Sequence, residues 1–215
     1  MSNNKSKEIF EWIVCILIAL IIVAVIKAFV GFPTVVSGAS MDSTLHDKQR
    51  LWVSRIAIEI NKYPERGDII TFEAPSTTYI TKASADLANP VAIYNEDEKT
   101  FSSKLISSLS LMSETSYIKR VIGIPGDHIE IKNGIVFLNE QPLNEEYLDI
   151  GTITDAVEGC FTDVVVPDGH VYVLGDNREV SGDSRRFGCI PIDKIEGKAV
   201  FRFWPLNKIG FTNKK

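Results

Sequence analysis

The sequence predicts a mostly β domain built of antiparallel sheets, carried on one N-terminal transmembrane helix and interrupted by a small helix-containing insertion. Three observations carry this expectation. An apolar run of 21 positions, residues 12–32, lies near the N-terminus. Short β-branched or aromatic runs separated by turn residues recur through the remainder. One segment, 97–112, changes from strand-like to helical spacing. The expected division is therefore residues 1–11 as a polar N-terminus, 12–32 as the anchor, and 33–215 as the β domain with an insertion at 73–116.

The anchor comes first in the chain. From Trp12 to Ile26 there are fifteen residues without charge; Lys27 interrupts, and Ala28 to Phe32 completes the run. A bilayer crossing needs about 20 helical residues. Lys27 can snorkel to the interface, and Trp12, Phe29 and Phe32 suit the aromatic belts. A cleavable leader is the competing reading, since Ser37 and Ala39 are small residues at the right interval, but the run exceeds the roughly 7 to 15 apolar residues of such leaders. A retained anchor is preferred. Flanking charge leaves its orientation open, with Lys5 and Lys7 on one side and Lys27, Lys48 and Arg50 on the other.

The strands follow. Leu51–Ile56 and Asp68–Phe72 flank the turn chemistry of Tyr63-Pro-Glu-Arg-Gly67. Tyr117–Ile124 precedes the turn Pro125-Gly126-Asp127. Ile129–Lys132 and Ile135–Leu138 enclose Asn133-Gly134, a strong hairpin signal because both residues tolerate the positive φ of a type I′ turn. Val164–Val166 and His170–Leu174 form another pair around Pro167-Asp168-Gly169, and Lys198–Trp204 is a late strand. Within the insertion, Phe101, Leu105, Leu109 and Met112 recur at helical spacing and predict a short amphipathic helix. Residues 139–163 carry seven acids and no Lys or Arg, which reads as a solvated loop without chemistry.

Composition excludes several functions. The formal net charge is −5, with 20 basic and 26 acidic residues beyond position 32. Nucleic acid, which requires a concentrated basic face, is not an expected partner. Three cysteines are too few for a disulfide scaffold. Cys15 lies within the apolar run; Cys160 and Cys189 either pair, if exported, or remain free thiols. No group of His, Cys and acid residues has zinc-ligand spacing, so no metal is expected.

Ser40, just beyond the anchor, is the candidate nucleophile, and a serine needs a base. The three histidines are poor candidates. His128 and His170 sit in turns, and His46 has only Asp47 beside it as an orienting group. Lys119 fits better. In a strand it shares a face with Tyr117 and Val121, and burial there lowers the lysine pKa until the neutral amine can accept the serine proton.

Four ordered boxes then carry a resemblance. Ser40-Met41 with Thr44-Leu45, Arg66-Gly67-Asp68-Ile69-Ile70 with Phe72, Tyr117 to Gly123 continuing through Pro125-Gly126-Asp127, and Gly175-Asp176-Asn177-Arg178 followed by Ser181, Asp183-Ser184-Arg185 and Gly188 together resemble the type I signal peptidases, membrane-anchored serine/lysine proteases. The resemblance spans residues 37–188 behind the anchor and implies a signal-peptidase-like β fold. It implies that Ser40 is the nucleophile, Lys119 the general base, and Ser181 the residue that orients the lysine. The Ser40 backbone N–H would meet the oxyanion. Arg120 with Asp176, and Asp183 with Arg185, would be structural pairs. Val36, Ser37, Met41, Leu45, Tyr117 and Ile118 would surround shallow pockets suited to Ala-X-Ala sites.

The same resemblance implies no cofactor, partners that are signal-peptide-bearing preproteins and the lipid bilayer, and a single-pass cell-membrane location with the N-terminus cytoplasmic and the catalytic domain (33–215) extracellular. The sequence departs from the family pattern at three places. Ser43 replaces a proline. Gly38 stands where some members have a serine that completes the oxyanion hole. The insertion 73–116 is longer than a direct connection.

Overall fold

A computed structural model describes residues 2–56, 58, 63–81, 84–95, 116–155 and 160–212. Helix α1 spans Ser2–Val25 and runs into one π-helical turn, Ile26–Val30. None of the 24 residues from Lys7 to Val30 is buried in the protein. Their length, about 36 Å at 1.5 Å per residue, matches a hydrocarbon core of about 30 Å. The helix stops earlier than apolarity implies. Gly31 and Phe32, expected in the anchor, open strand β1 (Gly31–Val35), which pairs with β2 (Arg50–Ser54). Gly31 has φ 153°, and a Cβ there would fall on the Val53 carbonyl oxygen. The residue that ends the helix thus also permits the first strand contact.

The remaining strands are β3 (Ile69–Glu73), β4 (Ser116–Gly123), β5 (His128–Lys132), β6 (Ile135–Leu138), β7 (Gln141–Pro142), β8 (Asp163–Val165), β9 (His170–Leu174), β10 (Ile190–Pro191), β11 (Ile195–Trp204) and β12 (Gly210–Phe211). A short helix, α2, covers Ser184–Phe187. Among the described residues, all pairs between these strands are antiparallel. The larger sheet has the order β1-β2-β11-β3-β4-β9-β10, with β12 added to β11; the smaller has the order β7-β6-β5-β8. Asn133 and Gly134 adopt φ of 53° and 78°, the left-handed pair that a type I′ hairpin turn requires. β11 is long enough to pair with both β2 and β3, and register shifts at Ala199/Phe201 and Arg202/Trp204 bend it between them.

Among the described residues, three apolar clusters fill the interior. Ile129, Val136 and Val164 of the small sheet meet Ile122, Tyr172 and Leu174 of the large one. Phe72, Val121, Val173, Phe187 and Ile190 cover one face of the large sheet. The third cluster lies beneath the segment after β1, where Met41 and Leu45 pack against Leu51, Ile69 and Ala199.

Two irregular stretches differ from expectation or escape it. The helix expected around Phe101–Met112 lies outside the described residues. The described part of the insertion is docked on the domain: Ile80 N–H donates to Arg186 O, Ala92 N–H to Cys189 O, and Cys189 N–H to Pro90 O. The acidic stretch 139–163 is not a freely solvated loop. Glu145 pairs with the buried Arg178, and the Tyr147 ring lies over the Arg120 guanidinium at 3.9 Å. A buried cation needs a partner, and the acids of this stretch supply it.

Candidate active site

β1 delivers the chain to a turn that begins at Ser37. The turn is tied back to the sheet by Val36 N–H to Gln49 O and Lys48 N–H to Val36 O, at 2.8 and 2.9 Å. Asp42 N–H to Ala39 O and Leu45 N–H to Met41 O close it internally. Met41 and Leu45 are fully buried. They were expected beside the substrate pocket; instead they are the apolar pegs that seat the turn in the third cluster. Ser40, on the other side of the turn, faces a cleft of about 220 Å³ whose walls include Val36, Ser37, Tyr117, Ile118 and Lys119.

Lys119 reaches this cleft from β4. Its Nζ donates to Ser40 Oγ at 2.8 Å across 79 residues of sequence, and to Ile118 O at 2.9 Å. The Tyr117 ring centroid lies 5.3 Å from Nζ, the same-face neighbour that strand alternation predicts. Only 4% of Lys119 is exposed. Burial, which disfavours the ammonium, lowers its pKa from 10.5 to about 8, against the opposing pull of the Asp183 and Asp176 carboxylates. Near physiological pH the neutral amine is therefore a minor but accessible form.

The last box wraps the back of the pair. Asn177 N–H donates to Ser40 O at 3.0 Å. Gly175 is required beside it, because a Cβ would strike the Ser40 carbonyl oxygen and Ser181 Oγ. Asp183 accepts from Gly175 N–H and from Arg185 Nε and Nη2. Arg120 grips Asp176 through Nε and Nη2 at 2.9 and 2.6 Å, and donates to Gly67 O and Thr44 Oγ1. All four partners of these two ion pairs are buried, so they are not the surface pairs that contribute only about 0 to 1 kcal/mol. Arg66 chelates Asp127, linking the second box to the third.

Ser181 lies beside Gly175 and the Ser40 carbonyl but makes no hydrogen bond to the lysine. Its buried hydroxyl has no hydrogen-bond partner among the described residues, and Lys119 Nζ is occupied by Ser40 and Ile118. The Ser40 N–H is likewise a donor to no group among the described residues. Gly38, φ 86°, directs its N–H to Asp47 Oδ1. Ser43 takes φ 88°, a conformation closed to the proline of the family pattern.

The histidines are engaged elsewhere. His46 contacts Asp42, His128 contacts Asp163, and His170 contacts Asp168 O. The three cysteines are free; Cys189 is buried and its thiol is pushed up to about 12, while Cys160 Sγ donates to Ile80 O.

Several participants were not singled out from the sequence. Thr34, Thr71, Ser116 and Gly182 also line the cleft, and Ser116 Oγ donates to Glu196 Oε1 at 2.8 Å. β9 ends opposite Arg120, so among the described residues no strand pairs with β4 on that side from Tyr117 to Lys119. Small polar residues in a strand carry no signal of such an open edge. Glu145 and Tyr147 were detectable in principle, since Arg178 and Arg120 required partners that the boxes themselves did not fully supply.

The family described as signal peptidase, peptidase S26, matches residues 9–204. A signal peptidase I from Bacillus licheniformis is 32% identical over 218 residues, 99% of this chain and 97% of the relative. A signal peptidase IB from Staphylococcus aureus strain MRSA252 is 33% identical over 219 residues, 96% and 95% of the two chains. A solved signal peptidase I from Enterococcus faecalis aligns with TM-score 0.40 and 24% identity, over 63% of this chain and 95% of that one. The chain belongs to the signal peptidase family, peptidase S26, and is a serine endopeptidase.

Proposed function

We propose that the chain removes signal peptides from exported preproteins with a Ser40–Lys119 dyad, cutting after Ala-X-Ala sequences. The single observation that supports the dyad is the 2.8 Å contact between Lys119 Nζ and Ser40 Oγ at a lysine with almost no exposed surface. Neutral Lys119 accepts the hydroxyl proton as Oγ attacks the scissile carbonyl carbon. The Ser40 N–H donates to the resulting oxyanion. The ammonium then passes its proton to the leaving amine, and the C–N bond breaks to leave an acyl-enzyme. Lys119, neutral again, takes a proton from water as that water attacks the ester, and returns it to Ser40 Oγ. Ser181 orients the lysine by turning its unpartnered hydroxyl onto Nζ, which has one valence beyond Ser40 and Ile118.

Specificity follows from strand geometry. A substrate laid extended along the open edge of β4 points alternate side chains to the same wall. The residue at the cut and the second before it therefore meet Val36, Tyr117 and Ile118, and both must be small. Location follows from the same chemistry. A cut site beyond a leader's apolar core emerges on the outer membrane face, so the enzyme is a single-pass protein with residues 1–11 cytoplasmic and the catalytic domain outside. β1 alone separates the membrane helix from the nucleophile turn, which keeps Ser40 near lipid.

The test is preprotein cleavage by detergent-solubilised full-length wild type, Ser40→Ala, Lys119→Ala and a triple histidine-to-alanine variant, with product mass defining the cut. Loss in the first two variants and retention in the third is expected. Cleavage that survives Lys119→Ala but disappears with the histidines would overturn the dyad.

A further inference from the structure

We infer that Tyr147, through its ring on Arg120, and Glu145, through its ion pair with Arg178, are positioning residues that brace the Ser40 turn from the acidic stretch; this rests on the Ser40 nucleophile proposed above. The contacts form a ring around the nucleophile. The Tyr147 carbonyl accepts from Ser43 Oγ at 3.4 Å, three residues beyond Ser40. The Tyr147 ring lies face-on to the Arg120 guanidinium at 3.9 Å, and that guanidinium donates to Thr44 Oγ1, in the same turn, and to Asp176. Tyr147 OH donates to Glu145 Oε1. Glu145 accepts from Arg178, whose Nε donates to Gly175 O, and Gly175 abuts the Ser40 carbonyl and Ser181. One side of the turn is thus fixed by Tyr147 and Arg120, and the other by the segment that Glu145 anchors through Arg178.

The turn needs such support. Ser43 adopts φ 88°, and a non-glycine residue in that region persists only where its surroundings over-determine it. Burial of the Tyr147 side raises its phenol far above the ordinary value, with the Glu145 carboxylate second, so Tyr147 remains a neutral ring and hydrogen-bond donor at all working pH. Arg120 sandwiched between Asp176 and an aromatic face has its plane set by both, and the direction of its Nη2 toward Thr44 follows.

The experiment compares kcat, KM and thermal unfolding for wild type, Ser40→Ala, Tyr147→Phe and Tyr147→Leu on one preprotein, with Glu145→Gln testing the brace from its Arg178 side should Tyr147→Leu fail to fold. Misplacing reacting groups by about 1 Å costs about 100-fold, so Tyr147→Leu is expected to lower kcat by about 10- to 100-fold with KM changed less than about threefold. Tyr147→Phe keeps ring and carbonyl and should stay within about threefold of wild type; Glu145→Gln should lower kcat in the same direction as Tyr147→Leu. If Tyr147→Leu, or Glu145→Gln in its place, unfolds at lower temperature but keeps wild-type kcat while folded, the role is structural only and the inference fails. Tyr147→Phe as damaging as Tyr147→Leu would also overturn it. Cleavage retained by Ser40→Ala, or absent from wild type, would instead sink the nucleophile reading.

Discussion

Replacing Lys119 by methionine should stabilise the protein while removing its activity. The lysine's pKa falls from 10.5 to about 8 on burial, which corresponds to about 3 kcal/mol of protonation free energy at roughly 1.4 kcal/mol per tenfold change. Near neutral pH the amine is mostly charged, so the fold carries most of that cost. Methionine has a similar length and no charge to desolvate. It also forfeits the bonds to Ser40 Oγ and Ile118 O, each contributing about 0.5 to 1.5 kcal/mol. The net expectation is a gain of up to about 2 kcal/mol at pH 7, or up to about 6 °C in Tm for a domain of this size. The pH dependence has a definite sign. Below pH 8 both folded and unfolded lysine hold the proton, and the difference between the proteins is constant. Between pH 8 and 10.5 the unfolded chain binds a proton that the native state does not, so wild type gains stability relative to the variant as pH rises. Near-UV circular dichroism melts of the two proteins in one detergent, from pH 6 to 11, measure this. A variant no more stable at pH 7, with a difference that does not move across pH 8 to 10.5, would refute the desolvated lysine.

Three further outcomes follow from the geometry. Gly175→Ala should abolish most cleavage and lower Tm, because its Cβ meets the backbone oxygen of Ser40, which cannot yield as a side chain can; wild-type kcat in that variant would show the contact is not tight. Asp176→Asn should destabilise by about 3 to 5 kcal/mol in denaturant titration, since it leaves Arg120 buried and without its counter-charge; a cost below about 1 kcal/mol would mark the pair as effectively solvated. Ser43→Pro, although it introduces the residue of the family pattern, should lower stability by more than about 1 kcal/mol, because φ 88° is closed to proline; an unchanged or raised Tm would show that the turn does not hold Ser43 in that conformation.

What could be read from the sequence follows from local physics. Strands β4, β5, β6, β9 and β11 were legible because alternation, β-branching and turn residues such as Asn133-Gly134 act within a few residues. The placement of Lys119 was legible for the same reason: strand period put it beside Tyr117. The end of the anchor was not, because Gly31 and Phe32 are as apolar as the helix before them, and their strand state depends on pairing with Val53 and Ser54. Met41 and Leu45 were misplaced because box membership does not distinguish a residue facing the cleft from one beneath the turn. The acidic stretch was misread because Glu145 and Tyr147 find Arg178 and Arg120 only after about 30 residues of intervening fold. Ser181 remains the largest gap between pattern and geometry, with its hydroxyl buried in the site but aimed at no partner.

The central claim is that buried Lys119 is the base for Ser40, and the pH dependence of kcat/KM tests it most directly. In wild type, kcat/KM for preprotein cleavage should rise with pH through an apparent pKa of about 8 as Nζ loses its proton, and the same limb should persist when all three histidines are replaced by alanine. An ascending limb near pH 6.5, the ordinary histidine range, that vanishes in the triple histidine variant would contradict it.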